Sequence, residues 1–296
     1  MPLPIPEPRD QGYTTQTSAP LYWAAYGPLG APRLLVLHGG PGADHRYLLP
    51  QMLRLTDRHD VLFYDQRGGG RSTILTTDRT PITAHTQVDD LANVIAERWG
   101  QERPVIVGYS WGGVLAMLYA TDEHVRVPPN RLVLIDPAGV NRQYREAFET
   151  EFARRQAAPP IVAARATLAS SGLRDRDPEA YRQRSFELSV AGYFADPAMA
   201  RDLTPFRVAG RVQQSVWESL GDYDLVPALR AARGRLGMPV LIVHGREDPF
   251  PVASSEALAA AIGGQLDVIE NCGHVPYVEQ PDELFEAIDQ FLGSEA

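Results

Sequence analysis

Residues Pro104-Val105-Ile106-Val107 form a short apolar run, and Gly108-Tyr109-Ser110-Trp111-Gly112-Gly113 follows it directly. Next comes Val114-Leu115-Ala116-Met117-Leu118-Tyr119, an apolar segment compatible with a helix. A strand that enters a helix through Gly-x-Ser-x-Gly forces its serine onto a tight, strained turn. Neighbours without a Cβ let such a turn close. The turn belongs at the top of a sheet, so the Ser110 hydroxyl is expected to project there. The Trp111 N–H, at the head of the helix, is left free to face a developing oxyanion.

The rest of the chain fits such a sheet. Strand-like runs fall at Leu21–Tyr26, Arg33–Leu37, Val61–Tyr64, Val105–Gly108, Leu132–Ile135, Val240–Val243 and Leu266–Ile269. Helical patterns lie near Leu48–Leu55, Thr86–Trp99, Trp111–Thr121, Ser254–Ala261 and Glu283–Phe291. Continuous apolar strands alternating with helices predict an α/β fold, a mostly parallel sheet with helices on both faces. The alternation stops after Asp136. From about residue 140 to 232 the composition turns rich in Arg, Glu and Ala, with Pro-containing breakers at Ala157–Ile161, Arg176–Pro178 and Asp196–Pro197. This predicts a core of residues 1–139 and 233–296, with 140–232 inserted as a helical lid over the strand C-termini. The N-terminal Met1–Pro8 reads as an extended lead-in.

Composition narrows the chemistry. A formal net charge of −9 disfavours nucleic acid and polyanionic substrates. There is no 18-residue apolar stretch, and the N-terminus lacks a basic n-region and an apolar h-region, so no membrane partner and a cytoplasmic location are expected. Cys272 is the one cysteine, which excludes an intrachain disulfide and any multi-cysteine metal site. The chain has no lysine at all, so a Walker-type phosphate loop, Schiff-base chemistry and a Ser–Lys dyad are excluded. Activation of a serine then falls to histidine, and neither metal nor cofactor is called for.

Acyl transfer needs a nucleophile, a base, an orienting carboxylate and donors for the oxyanion. Ser110 is the nucleophile candidate. Asp248 stands just past the strand Val240–Val243, and His274 lies in the loop after the last strand, giving the chain order Ser…Asp…His. Glu247 is the alternative carboxylate, one residue away and expected to point elsewhere. His38-Gly39-Gly40-Pro41-Gly42 follows a strand, and its amides can turn inward, so Gly39 or Gly40 is expected to supply the donor opposite Trp111. His38 reads as structural. Asp65–Ser72 reads as a rigid turn buttressing that loop, because its glycines do not fit G-x-G-x-x-G after a first strand.

Taken together, His38–Gly42, Asp65–Ser72, Gly108–Gly113, Gly245–Asp248 and Gly273-His274 resemble the α/β-hydrolase fold, and more narrowly the proline iminopeptidase family of serine peptidases. That family combines an HGGPG loop, a DQRG-x-GRS segment and a G-x-SWGG elbow. The resemblance spans Leu21–Tyr119 and Val240–Phe291 and leaves the lid unmatched. It implies release of an N-terminal residue, proline preferred, from a small or short-peptide substrate. Lid glutamates would hold the free amino group, since a buried ammonium needs carboxylates, and the candidates are Glu218, after Trp217, and Glu187. Relatives on this core include esterases and lactonases, so a carboxylesterase or lactonase is the alternative. A non-catalytic ligand receptor is a third reading. Haloalkane dehalogenases and epoxide hydrolases need a carboxylate at the elbow, which Ser110 is not.

Overall fold

The computed structural model describes residues 4–74 and 80–293. Residues 1–3 of the lead-in and the last three of the chain lie outside the described residues. Among the described residues eight strands build one sheet: β1 (Asp10–Tyr13), β2 (Tyr22–Tyr26), β3 (Arg33–Leu37), β4 (Asp60–Tyr64), β5 (Val105–Tyr109), β6 (Arg131–Ile135), β7 (Val240–Gly245) and β8 (Gln265–Ile269). Their order is β1-β2-β4-β3-β5-β6-β7-β8. The β1–β2 and β2–β4 pairs are antiparallel, and every pair from β4 onward is parallel. All seven anticipated strands are present. The eighth, β1, was not anticipated, because Asp10-Gln11-Gly12-Tyr13 carries no apolar run. It is an exposed edge whose order comes from pairing with β2.

The strands alternate between two cores. Leu35 and Leu37 of β3, with Leu132 and Leu134 of β6, face one apolar cluster. Leu34, Val36, Val133 and Ile135 face the other. Both faces are covered, so the parallel strands read as unbroken apolar runs. The core helices are α1 (Ala84–Trp99) and α2 (Trp111–Thr121), then, after the intervening segment, α9 (Val252–Ile262), α10 (Pro276–Glu279) and α11 (Pro281–Gly293). The helix expected at Leu48–Leu55 is instead two 3-10 turns, His45–Leu48 and Gln51–Asp57. Pro50 divides them. The residue before a proline is pushed out of the helical region, and Leu49 is extended at φ −98°, ψ 148°.

Between β6 and β7 the described chain holds helices α3 (Arg142–Gln156), α4 (Pro159–Ser170), α5 (Leu173–Arg176), α6 (Pro178–Val190), α7 (Gly210–Leu220) and α8 (Val226–Leu236). Pro159 and Pro178 open α4 and α6, where a missing N–H costs nothing. Helix α3 buries no residue completely, and its half-buried Phe148 packs against the core below.

Candidate active site

Three strand ends meet beneath α3 and α7. At the end of β5, Ser110 takes φ 53°, ψ −119°, a conformation that residues with a Cβ rarely adopt. Main-chain bonds hold it there: Ser110 N–H donates to Ile135 O at 3.0 Å, and Ser110 O accepts from Gly113 and Ala138 N–H at 2.9 and 3.1 Å. The flanking glycines are required by contact. A Cβ on Gly108 would lie 2.5 Å from Gly112 O, and one on Gly112 would lie 2.2 Å from Leu37 O. The sequence motif is thus a consequence of α2 pressing directly on β3 and β5.

His274 approaches from the loop after β8. Its Nε2 stands 3.0 Å from Ser110 Oγ, and its Nδ1 stands 2.7 Å from Asp248 Oδ2. Asp248 Oδ1 in turn accepts Phe250 N–H at 2.7 Å. The ring is walled by aromatics: Tyr193 stacks on it at 5.2 Å, with Tyr109 at 5.3 Å and Phe250 at 5.5 Å. Two main-chain bonds fix its backbone, from His274 N–H to Tyr193 O and from Tyr109 Oη–H to His274 O. Burial pushes the imidazole down to about 4, so it is neutral at pH 7. Burial raises the Asp248 carboxyl, against the opposing hydrogen bond from Phe250 N–H. A neutral imidazole between a hydroxyl and an acceptor carboxyl can take the hydroxyl proton as the oxygen attacks a carbonyl.

Glu247 points elsewhere: its carboxylate accepts Cys272 N–H at 2.9 Å. Cys272 is fully buried, and burial pushes its thiol far above the ordinary range, which opposes thiolate chemistry.

Across from Trp111, Gly39 and Gly40 end the β3 loop. The Gly39 N–H donates to Tyr47 Oη at 2.6 Å and is spent there. Gly40 lines the cavity with Ser110, and among the described residues neither its N–H nor that of Trp111 meets a protein acceptor. Gln66 locks the two sides together. Its amide donates to His38 O at 2.7 Å and accepts the Trp111 indole N–H at 2.8 Å, while its own N–H donates to His38 Nε2. His38 is therefore a neutral structural histidine, its Nδ1 on Gly39 O. The Asp65–Ser72 turn is tied by the Ser72 hydroxyl to Asp65 O and by Arg71 N–H to the Asp65 carboxylate.

Above Ser110 opens a cavity of about 660 Å³. Phe148 and Phe152 of α3, Tyr193 and Phe250 supply its apolar wall, and Arg142, Arg145, Glu149, Gln213 and Glu218 its polar rim. Glu218 is exposed at this rim, where it accepts from Gln214 at 2.7 Å. Glu149 shares the rim and pairs with Arg145 at 2.7 Å. Glu187 does not reach the cavity. It is tied to Arg184 and Gln183 on α6 and faces a separate groove. Of these rim residues only Glu218 was singled out in the sequence; Arg142, Arg145, Glu149 and Gln213 were not.

Residues 34–287 match the alpha/beta hydrolase family model. A curated proline iminopeptidase from Lactobacillus crispatus (strain ST1) is 25% identical over 273 residues, 88% of this chain and 89% of that protein. Among solved structures, a proline iminopeptidase-related protein from Thermus thermophilus superposes with TM-score 0.70 at 24% identity, covering 96% of each chain. An enol-lactonase from Burkholderia xenovorans LB400 does so at TM-score 0.66 and 20% identity, over 96% of this chain and all of that one. The two structural likenesses concern the fold alone. With the family model matched from β3 into α11, the chain belongs to the alpha/beta hydrolase family.

Proposed function

We propose that the protein is a serine hydrolase that releases an N-terminal residue, proline preferred, through an acyl-enzyme. The observation that carries the hydrolase reading is the unbroken chain Ser110 Oγ–His274–Asp248 at the floor of a cavity. In this reading His274 takes the Ser110 proton during attack and returns it to the leaving amine. Asp248 holds the tautomer with hydrogen on Nδ1 and stabilises the imidazolium. The N–H groups of Trp111 and Gly40 receive the oxyanion, with Gly39 kept for Tyr47. Water then repeats the sequence on the acyl-enzyme. Helices α3 to α8 act as the lid over the strand ends.

The aminopeptidase reading is supported by the likeness to iminopeptidases and by two carboxylates, Glu149 and Glu218, at one cavity rim. A second reading, carboxylesterase or lactonase action on a small ester, is favoured by the placement of Glu187. That residue is engaged with Arg184 outside the cavity, which leaves one of the two expected amine-binding groups missing.

Three substrates separate the readings: a prolyl arylamide, its N-acetyl derivative and a short-chain aryl ester. The aminopeptidase reading requires the free prolyl arylamide to turn over well above the acetylated one. Equal turnover of those two with faster ester hydrolysis selects the esterase, and turnover of none selects a receptor.

A further inference from the structure

Asp136 is a second buried aspartate beside His274, and the reaction above gives it no task. It follows β6 directly at φ 39°, a left-handed backbone that costs any residue with a Cβ, and no solvent reaches it. Its N–H donates to Val243 O, and its Oδ1 accepts Gly245 N–H at 2.8 Å. Its Oδ2 is buried with no hydrogen-bond donor. One side-chain atom from each of Asp136, Asp248 and His274, a carboxyl oxygen or a ring nitrogen, lies within 4.8 Å of the other two.

Among the described residues no cation balances two negative charges here. His244 Nδ1 is 3.8 Å from Asp136 Oδ1, but it faces Ser255 Oγ at 2.8 Å while Nε2 faces Phe250 O. Burial pushes that imidazole down to about 4, so it is neutral. Glu279 is a further carboxyl, accepting N–H groups from Ala195, Gly273 and Val275. Tyr109, Tyr277 and Cys272 are buried and Tyr193 is half-buried, and all four are held in their protonated forms. Arg155 acts on the site at a distance and is paired with Glu151.

Two adjacent carboxyls in such a place cannot both ionise. Asp248 has two donors, the Phe250 N–H and His274 Nδ1–H, whereas Asp136 has one donor and a bare oxygen. Resting on the serine-hydrolase reading, we infer that Asp136 is kept as a neutral carboxylic acid that donates its Oδ2 proton in a hydrogen bond to Asp248, fixing that carboxylate beneath His274 as a positioning residue. The proton stays on Asp136 throughout the cycle. Burial, with Asp248 as neighbour, pushes the Asp136 carboxyl well above the usual range, in agreement with this placement. The consequence for His274 is one negative charge below the ring. A second would raise its basicity by on the order of one to two pH units.

The test combines two variants with one spectroscopic reading. Asp136→Asn keeps a neutral donor towards Asp248, so the acid limb of kcat/KM should stay where the wild type has it. If Asp136 is instead ionised, this variant removes a charge and the limb falls by about one to two pH units, which overturns the proposal. Asp136→Ala removes the donor. Asp248 then becomes the stronger base, the limb rises, and kcat drops by roughly 10-fold or more. An unmoved limb in Asp136→Ala, with only stability lost, assigns a purely structural role and also overturns it. The resting wild type at pH 7 should show an infrared carbonyl band of a protonated carboxylic acid that Asp136→Asn lacks. This reading needs no turnover, so it decides even if Asp136→Ala does not fold. An identical band in both proteins contradicts the proposal. Failure of the hydrolase reading is recognised separately, by turnover that survives in Ser110→Ala.

Discussion

Replacing Gly112 by alanine tests whether the close approach of α2 to the sheet holds the serine in place. The added Cβ would sit 2.2 Å from Leu37 O, 2.7 Å from Leu37 C and 2.8 Å from His38 O. A carbon needs about 3.3 Å from a carbonyl oxygen, so something must move by about 1 Å. The opposing atoms are main chain at the end of β3, paired on one side with β4 and on the other with β5. They cannot yield, so the head of α2 must. Alanine gains roughly 1 kcal/mol over glycine in a helix, while overpacking costs about 1–3 kcal/mol and sometimes more. With rigid backbone as the obstacle the cost falls at the upper end, leaving a net loss of about 2 kcal/mol. A shift near 1 Å at Trp111 and Ser110 should also cost about 100-fold in kcat. Urea unfolding and turnover are measured on the same preparations. Gly234→Ala in α8 is the control, because its added Cβ meets nothing within 4 Å. It should gain about 0.5–1 kcal/mol and leave the rate alone. If the two variants are equally stable and equally active, contact at Gly112 does not position the elbow.

Asp248→Asn should lower kcat by roughly 10³–10⁴ through loss of the productive tautomer, far more than Glu247→Gln, whose carboxylate serves the Cys272 N–H; a reversed ranking moves the orienting role to Glu247. The acid limb of kcat/KM should lie near the depressed value of His274, about pH 4, because only the neutral imidazole accepts the proton and burial keeps it neutral well below the ordinary histidine value. A limb at or above about 6.5 would show that burial does not govern its titration. Glu218→Gln should raise KM for a free prolyl arylamide several-fold and leave an aryl ester unaffected. The modest size follows from its exposure at the cavity rim, where an ion pair is worth about 0.2–1 kcal/mol. Equal KM changes on both substrates would remove Glu218 from amine recognition.

The sheet was legible because buried parallel strands must be apolar on both faces, and the elbow because its contacts admit only glycine at 108 and 112. Ser110, Asp248 and His274 were readable from chain order, since the fold delivers each at a strand end. Reading failed where tertiary contact decides. Between Gly39 and Gly40 the matter turned on the Tyr47 hydroxyl, which arrives from the following 3-10 turn and occupies the Gly39 N–H. Glu187 and Glu218 sit alike in helical, polar surroundings, and only the packing of α6 and α7 sends one away from the cavity and the other to its rim. Asp136 stands before Pro137 just as Asp248 stands before Pro249, and only Asp248 was singled out. Nothing in the spacing places both aspartates under one imidazole. That requires β6 and β7 to be neighbours in the sheet.

The most direct test of Ser110 as the nucleophile is to label the protein with a fluorophosphonate and locate the adduct by peptide mass spectrometry. The labelled site should be Ser110, with stoichiometric labelling matching complete loss of turnover. Labelling should be absent in Ser110→Ala, and turnover in that variant should fall by on the order of 10⁴–10⁶. An adduct elsewhere, or a Ser110→Ala protein that keeps more than about a tenth of wild-type turnover, a loss far short of the 10⁴ expected for a triad member, would contradict that assignment.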